Sequence, residues 1–150
     1  MMSLADDLPK SAIVTRAHAS DWRAAIQLAG GALTASGATT AAYTDEMIAA
    51  VEKHGPYIVI APGFALAHSR PSPAVLHTGL SWVALAEPVD FGSGTNDPVR
   101  LVVGLAALDH DSHIETMAAL AGILSDEAVL SELIAAETAA EVHAILGRVP

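Results

Sequence analysis

Histidines carry most of the reactive chemistry this chain can offer. There are seven of them and no cysteine, which removes thiolate zinc sites, disulfides and a cysteine nucleophile together. His68 stands out among them. It lies in a segment of small residues, Ala61-Pro-Gly-Phe-Ala-Leu-Ala-His-Ser-Arg-Pro71, where a bulky partner can reach the ring. Arg70 follows two positions later, and in extended backbone such a pair shares one face. An imidazole beside a guanidinium suits a phosphoryl group, with a nitrogen to carry it and a planar fork to neutralise it. The same spacing also describes a surface-loop histidine next to an unrelated arginine.

His113 is the second candidate. Ser112 and Glu115 have the spacing of a capping box, which predicts Ser112 as N-cap and His113 as the first helical residue after a long strand. Backbone N–H groups and the helix dipole favour an anion there, and open α/β sheets place ligands at such points. The dipole also tends to keep an imidazole neutral while it donates through one nitrogen. A helix-start histidine that only packs has the same signature.

The remaining histidines have plainer readings. His18 and His143 lie near the chain ends and are expected to face solvent. His54 falls in the last turn of a helix, where it meets the negative end of the dipole, and His77 marks a loop-to-strand boundary. The run Asp109-His110-Asp111-Ser112-His113 offers metal-ligand types. Consecutive residues rarely aim four ligands inward, however, and no distant HxH or HExxH supports them, so no metal is expected. Gly92-Ser-Gly94 lacks both the third glycine of a dinucleotide fingerprint and the lysine of a P-loop.

Composition narrows the class of protein. At 150 residues, 52% hydrophobic and 16% charged, the chain can bury one sizeable core and is not a disordered acidic tail. Alanine is about a fifth of it, which favours closely packed helices. Seven basic against 17 acidic residues leave a net charge of −10, which would be repelled by nucleic acid or an anionic membrane. Mean hydropathy is positive, yet the most apolar run, Leu101–Leu108, is eight residues, well short of the roughly 18–20 that cross a bilayer. Asp6 and Asp7 interrupt the N-terminal stretch where a signal peptide needs apolar residues. A cytoplasmic location is expected.

The elements that must position these histidines follow from periodicity. Residues 1–11 read as a loose leader and Ala12–Thr15 as a short strand. Ser20 or Asp21 caps a helix facing inward through Trp22, Ile26, Ala29 and Leu33, weakened by Gly30 and Gly31 and stopped near Gly37. A second helix starts near Thr39 or Thr40, buries Tyr43, Met47 and Val51, and ends before Gly55. Tyr57–Ile60 reads as a strand buried on both faces and Ala61–Pro71 as a loop. Thr78–Ala86 alternates as a strand, with Leu80, Trp82, Ala84 and Ala86 on one side. Val99–Leu108 is the clearest buried strand. A helix from Ser112 buries Ile114, Met117, Ala121 and Leu124, and two short helices follow Ser125. Helices flanking long apolar strands predict a single-domain α/β layered fold.

Taken together, these segments resemble a known family. Gly55-Pro-Tyr-Ile-Val-Ile-Ala-Pro-Gly-Phe-Ala-Leu-Ala-His68-Ser-Arg-Pro71 is similar to the active-site stretch of phosphotransferase-system enzyme IIA domains of the mannitol/fructose class, nearest its ascorbate-type branch. Thr78-Gly-Leu-Ser, Glu87-Pro-Val-Asp-Phe-Gly92, Asn96-Asp-Pro-Val99 and His113-Ile-Glu-Thr-Met-Ala-Ala-Leu120 extend the likeness in order over about residues 20–127. Trp22 with Ala25-Ile26, and Tyr43 with Met47, match its N-terminal helices. The chain departs from the family at Ala67, where members carry proline, at Ser69, commonly alanine, and at Ser72-Pro73, where an acidic residue is usual.

The resemblance implies a three-layer α/β/α fold with a mixed central sheet, spanning 1–150 as one EIIA type-2 domain. It also implies that His68 is the phosphorylated residue and His113 its active-site companion. Phosphate would arrive from phospho-HPr and leave to a cysteine of enzyme IIB, with the enzyme IIC permease served indirectly in uptake of an ascorbate-like sugar. Arg70, together with Ser112 and the N–H groups at the start of its helix, is the expected phosphate-binding set. No cofactor beyond the covalent phosphoryl group on His68 is called for. A regulatory domain, whose phosphorylation state controls a partner, and a homodimer both remain open on these grounds.

Overall fold

The computed structural model describes residues 7–148. Five strands form one sheet: β1 (Ile13–Ala17), β2 (Val59–Ala61), β3 (Phe64–His68), β4 (Gly79–Val89) and β5 (Val99–Ala106), in the order β1-β4-β5-β3-β2. The sheet is mixed. β1 runs parallel to β4 and β3 parallel to β5, while β4–β5 and β2–β3 are antiparallel. Around it lie α1 (Trp22–Ala35), α2 (Ala42–His54), α3 (His110–Leu124), α4 (Glu127–Ala135) and α5 (Ala139–Arg148).

Each face of the sheet has its own core, which makes the three layers. On one face Ile26, Ala29 and Leu33 of α1 and Tyr43, Met47 and Val51 of α2 pack with Ala65, Ala67, Val83 and Val102. On the other, Leu120, Ile123, Leu133, Val142 and Leu146 pack with Phe64, Leu66, Leu80, Trp82, Leu101 and Val103. Small residues set the close approach on the first face. A Cβ at Gly104 would collide with Ser81 Oγ and lie 3.2 Å from Leu33 Cδ1. Ser81 Oγ, fully buried, donates to the Ala29 carbonyl at 2.8 Å. Gly30, a cost to α1 on propensity, is where Thr44 of α2 crosses, and a Cβ there would clash with it.

Several expectations hold residue by residue. Asp21 caps α1 by accepting from the Ala24 N–H at 2.8 Å, and Gly37 follows the helix at φ +86°. Two short helices close the chain as expected. Others need correction. α2 starts at Ala42, not Thr39 or Thr40, because Thr39 bridges Val75 and the Thr40 N–H donates to the Ala74 carbonyl. β4 continues to Val89 and is buried on both faces from Leu80 to Ala84, while Ala86 is exposed. β5 stops at Ala106, leaving Leu108 54% exposed. α3 turns Thr116, Leu120 and Ile123 inward instead of Ile114 and Ala121, which are exposed. Of the expected leader, residues 1–6 lie outside the described residues, but Leu8 is fully buried in the second core.

The largest correction concerns the segment before the site. Tyr57–Ile60 is not a doubly buried strand: β2 is a three-residue edge strand, with Tyr57 40% and Ile60 46% exposed. The stretch read as a loop contains β3, which is paired on both sides and buried from Phe64 to Ala67. Pro62 and Gly63 make the tight connection between the two antiparallel strands, with Gly63 at φ +75°.

Candidate functional site

His68 is the last residue of β3 and pairs with Leu105 of β5. Its ring is tethered by its own strand, since Nδ1 lies 2.7 Å from the Leu66 carbonyl. A carbonyl oxygen only accepts, so Nδ1 carries the hydrogen and the neutral ring keeps its lone pair on Nε2. Two aromatic rings meet it edge-on. Tyr57 packs at 5.4 Å between centroids, with its hydroxyl donating to the His68 carbonyl at 3.2 Å, and His113 packs at 5.3 Å.

His113 arrives from the other side on α3. The helix begins at His110, with the Asp109 carbonyl accepting from the His113 N–H at 3.2 Å. Asp109, itself a favourable cap type, therefore starts the helix one turn before the expected Ser112. His113 sits at the end of the first turn, not at its first position, and the capping-box reading of Ser112 fails. The phosphate-binding role expected of Ser112 rests on a side chain outside the described residues. Burial, reinforced by the nearby His68 and His110 rings, holds the His113 imidazole below the usual histidine range, which favours its neutral form.

The two histidines line a cleft of about 900 Å³ between α2 and the segment that follows β3. Arg70 lines it too, exposed and paired with no carboxylate among the described residues. α2 adds Glu46, Lys53 and His54. His54 is in the last turn as expected, and its ring meets Tyr57 at 6.2 Å. His18 is elsewhere, 3.2 Å from Glu87 on the surface, and His77 contacts the Thr78 carbonyl. Among the described residues no three His, Asp or Glu side chains are gathered to hold a metal.

Sequence reasoning missed the tyrosines and Lys53. Tyr43 was expected only as a core residue of α2, and it is indeed 1% exposed. A buried phenol must find partners for its hydroxyl, and those partners are the backbone beside His68: the Tyr43 Oη accepts from the Ser69 N–H at 3.0 Å and donates to the Leu105 carbonyl at 2.8 Å.

The fold is thus a mixed sheet with helices on both faces, and two histidines meet where a strand ends and a helix begins. The chain belongs to the family described as "Phosphoenolpyruvate-dependent sugar phosphotransferase system, EIIA 2", whose model matches residues 8–149. It is 36% identical over 149 residues to the ascorbate-specific PTS system EIIA component of Salmonella typhimurium, covering 98% of this chain and 97% of that one. The solution structure of the mannitol-specific cryptic phosphotransferase enzyme IIA from Escherichia coli superposes with a TM-score of 0.85 at 34% identity, covering 98% of this chain and 99% of that one. Enzyme IIAMTL in its complex with phosphorylated enzyme IIBMTL from Escherichia coli gives a TM-score of 0.81 at 26% identity, over 93% and 96%. No helix among the described residues is long and apolar enough to cross a membrane.

Proposed function

We propose that this protein is the phosphocarrier of a sugar phosphotransferase system, with His68 Nε2 as the atom that carries the phosphoryl group. The observation behind this reading is the tether of Nδ1 to the Leu66 carbonyl, which leaves Nε2 nucleophilic beside His113 in an open cleft. Phospho-HPr is the donor. The Nε2 lone pair forms the new N–P bond while the donor's N–P bond breaks and its electron pair returns to the donor imidazole. The acceptor is a cysteine thiolate of enzyme IIB, which attacks the same phosphorus and returns the electron pair to His68. Nδ1 keeps its hydrogen throughout, so neither step requires a proton to leave His68.

Charge neutralisation is the main catalytic requirement of such a transfer. Arg70 supplies a permanent cation in the cleft, and His113 a neutral ring able to donate to a phosphoryl oxygen. No cofactor is needed, and the protein works in the cytoplasm, feeding an enzyme IIC permease indirectly. The sugar is assigned to the ascorbate-like class on the likeness to the ascorbate-specific components. Incubation with phosphoenolpyruvate, enzyme I and HPr, followed by mapping of the phosphohistidine, tests the assignment. The label should appear on His68, and should leave only when a cysteine-bearing enzyme IIB is added. A label on His113, or rapid loss to water with no acceptor present, would overturn it.

A further inference from the structure

The peptide unit that follows His68 is held at both of its polar atoms by tyrosine hydroxyls. Its carbonyl, on His68, accepts from the Tyr57 hydroxyl at 3.2 Å, and its N–H, on Ser69, donates to the Tyr43 hydroxyl at 3.0 Å. Tyr43 passes its own hydrogen to the Leu105 carbonyl at 2.8 Å, with the Ser69 carbonyl a longer alternative at 3.2 Å. Leu105 is the residue paired with His68 across the sheet. These are the chain's two tyrosines, and they come from separate places, Tyr43 from α2 and Tyr57 from the turn between α2 and β2. The end of a strand is where backbone groups leave the ladder and need other partners. Here the partners are side chains that converge on one peptide.

We propose that Tyr43 and Tyr57 are positioning residues for the phosphoryl transfer assigned above to His68, clamping the His68–Ser69 peptide and with it the strand end and the ring contact that hold Nε2 in its direction. The link to the ring is geometric. The Tyr57 bond to the His68 carbonyl holds the phenol ring edge-on to the imidazole at 5.4 Å, and the Tyr43 bonds tie the end of β3 to Leu105, its partner across the sheet. When these bonds are lost, the strand end that carries His68 and the phenol beside its ring are free to shift, and the Nδ1–Leu66 carbonyl contact that fixes the ring's orientation and tautomer loses its support. The two tyrosines are unequal. Tyr43 is buried and makes two of these bonds, whereas Tyr57 is 40% exposed and makes one long one. Burial pushes the Tyr43 hydroxyl up to about 12, so it stays protonated through the working pH range. The inference rests on the carrier reading only for its kinetic consequence.

Tyr43→Phe, Tyr57→Phe and the double variant test it in the full-length protein, with thermal unfolding to establish that each is folded. In Tyr43→Phe the Ser69 amide should exchange with solvent at least about tenfold faster, since its acceptor is gone. The ¹⁵N shifts of His68 should move together as its tautomer averages. Phosphorylation by phospho-HPr should slow about tenfold in Tyr43→Phe and about threefold in Tyr57→Phe, as expected when a nucleophile is misaimed but intact. Because both hydroxyls act on one peptide, the double variant should be little slower than Tyr43→Phe alone. Unchanged His68 ¹⁵N shifts in both folded variants would overturn the proposal, as would effects that simply multiply in the double variant. Should wild-type His68 take no label, the carrier reading fails, while the amide-exchange and ¹⁵N measurements still decide the clamp. Tyr57→Phe removes only a half-exposed hydroxyl, so it remains a folded test if Tyr43→Phe does not.

Discussion

The two histidines of the cleft are held in different ways. His68 ends a strand whose preceding four residues are buried, and its ring, its carbonyl and the next N–H each have a partner. His113 ends the first turn of a helix whose neighbouring residues, Asp111, Ile114 and Glu115, are exposed, and its backbone N–H bonds only within that turn. The strand fixes where an atom is. The helix start leaves a ring whose protonation can answer to the charge beside it. A nucleophile that must meet two successive partners at one phosphorus benefits from the first arrangement, and a group that must greet and release a dianion benefits from the second.

Substitutions should separate the two roles, and the largest effect belongs to the strand. His68→Ala is expected to abolish labelling from phospho-HPr altogether. The fold should survive, because the ring is only half buried and makes one hydrogen bond, to the Leu66 carbonyl; the change in stability should be about 1 kcal/mol. Labelling measured beside thermal unfolding checks both halves. Persistence of label in this variant would erase the distinction between the two histidines.

His113→Gln comes next. The amide can donate a hydrogen bond but cannot change protonation, so His68 should still accept phosphate while onward transfer to enzyme IIB falls by about 10²-fold. Rapid-quench measurement of the two half-reactions tells them apart. Equal rates for wild type and variant would remove His113 from the mechanism.

Arg70→Ala should act more mildly, slowing both half-reactions by about tenfold, since one charge-assisted contact to the moving phosphoryl group is lost. The salt dependence separates this local effect from steering by the whole protein. At a net charge of −10, phosphorylation by a donor with a basic rim should slow as ionic strength rises in wild type and variant alike. Stopped-flow rates across a salt series check both, and salt-independent rates would remove the steering argument.

The contrast between strand and helix also governs what could be read from sequence. The layered fold, the capped α1 and the two short C-terminal helices were legible because caps and apolar periodicity are local signals. The spacing of His68 and Arg70 left a shared site and an unrelated surface arginine both open, and the structure places both residues on the same cleft. β3 was not legible. Its Ala65 and Ala67 lie in the core shared with α1 and α2, and small residues between Pro62-Gly63 and Pro71 imitate a loop. α3 failed differently: its run of alanine and other apolar residues is nearly uniform around the axis, so Met117 and Leu124 pack on the core as expected while Ile114 and Ala121 came out at the surface. The start of α3 was missed because Asp109 and Ser112 are both good caps three residues apart, and the helix runs from the first of them, with the Asp109 carbonyl accepting from the His113 N–H. The tyrosine contacts join Tyr43 to residues 26 and 62 positions away, and no local pattern encodes them.

The smallest expected effect is on pH, and it tests the helix side of the comparison directly. In the unphosphorylated protein His113 titrates below its ordinary value of 6.5, because of burial and the positive charge its histidine neighbours acquire. The unfolded chain therefore binds this proton more readily than the folded one. Its contribution to stability is complete above about 6.5 and is lost as pH falls towards the folded-state value. His113→Gln should flatten that part of the stability–pH curve without moving its plateau at higher pH. Phosphorylation of His68 reverses the electrostatics, since a dianion replaces a ring that could only have been neutral or positive. The His113 value should then rise, and the slope of stability with pH in this window should weaken or change sign. Proton and ¹⁵N NMR titration of His113 before and after phosphorylation measures the shift itself. A His113 titration that is the same in both states would mean that its ring does not sense the phosphoryl group, and the division of labour between strand and helix would not hold.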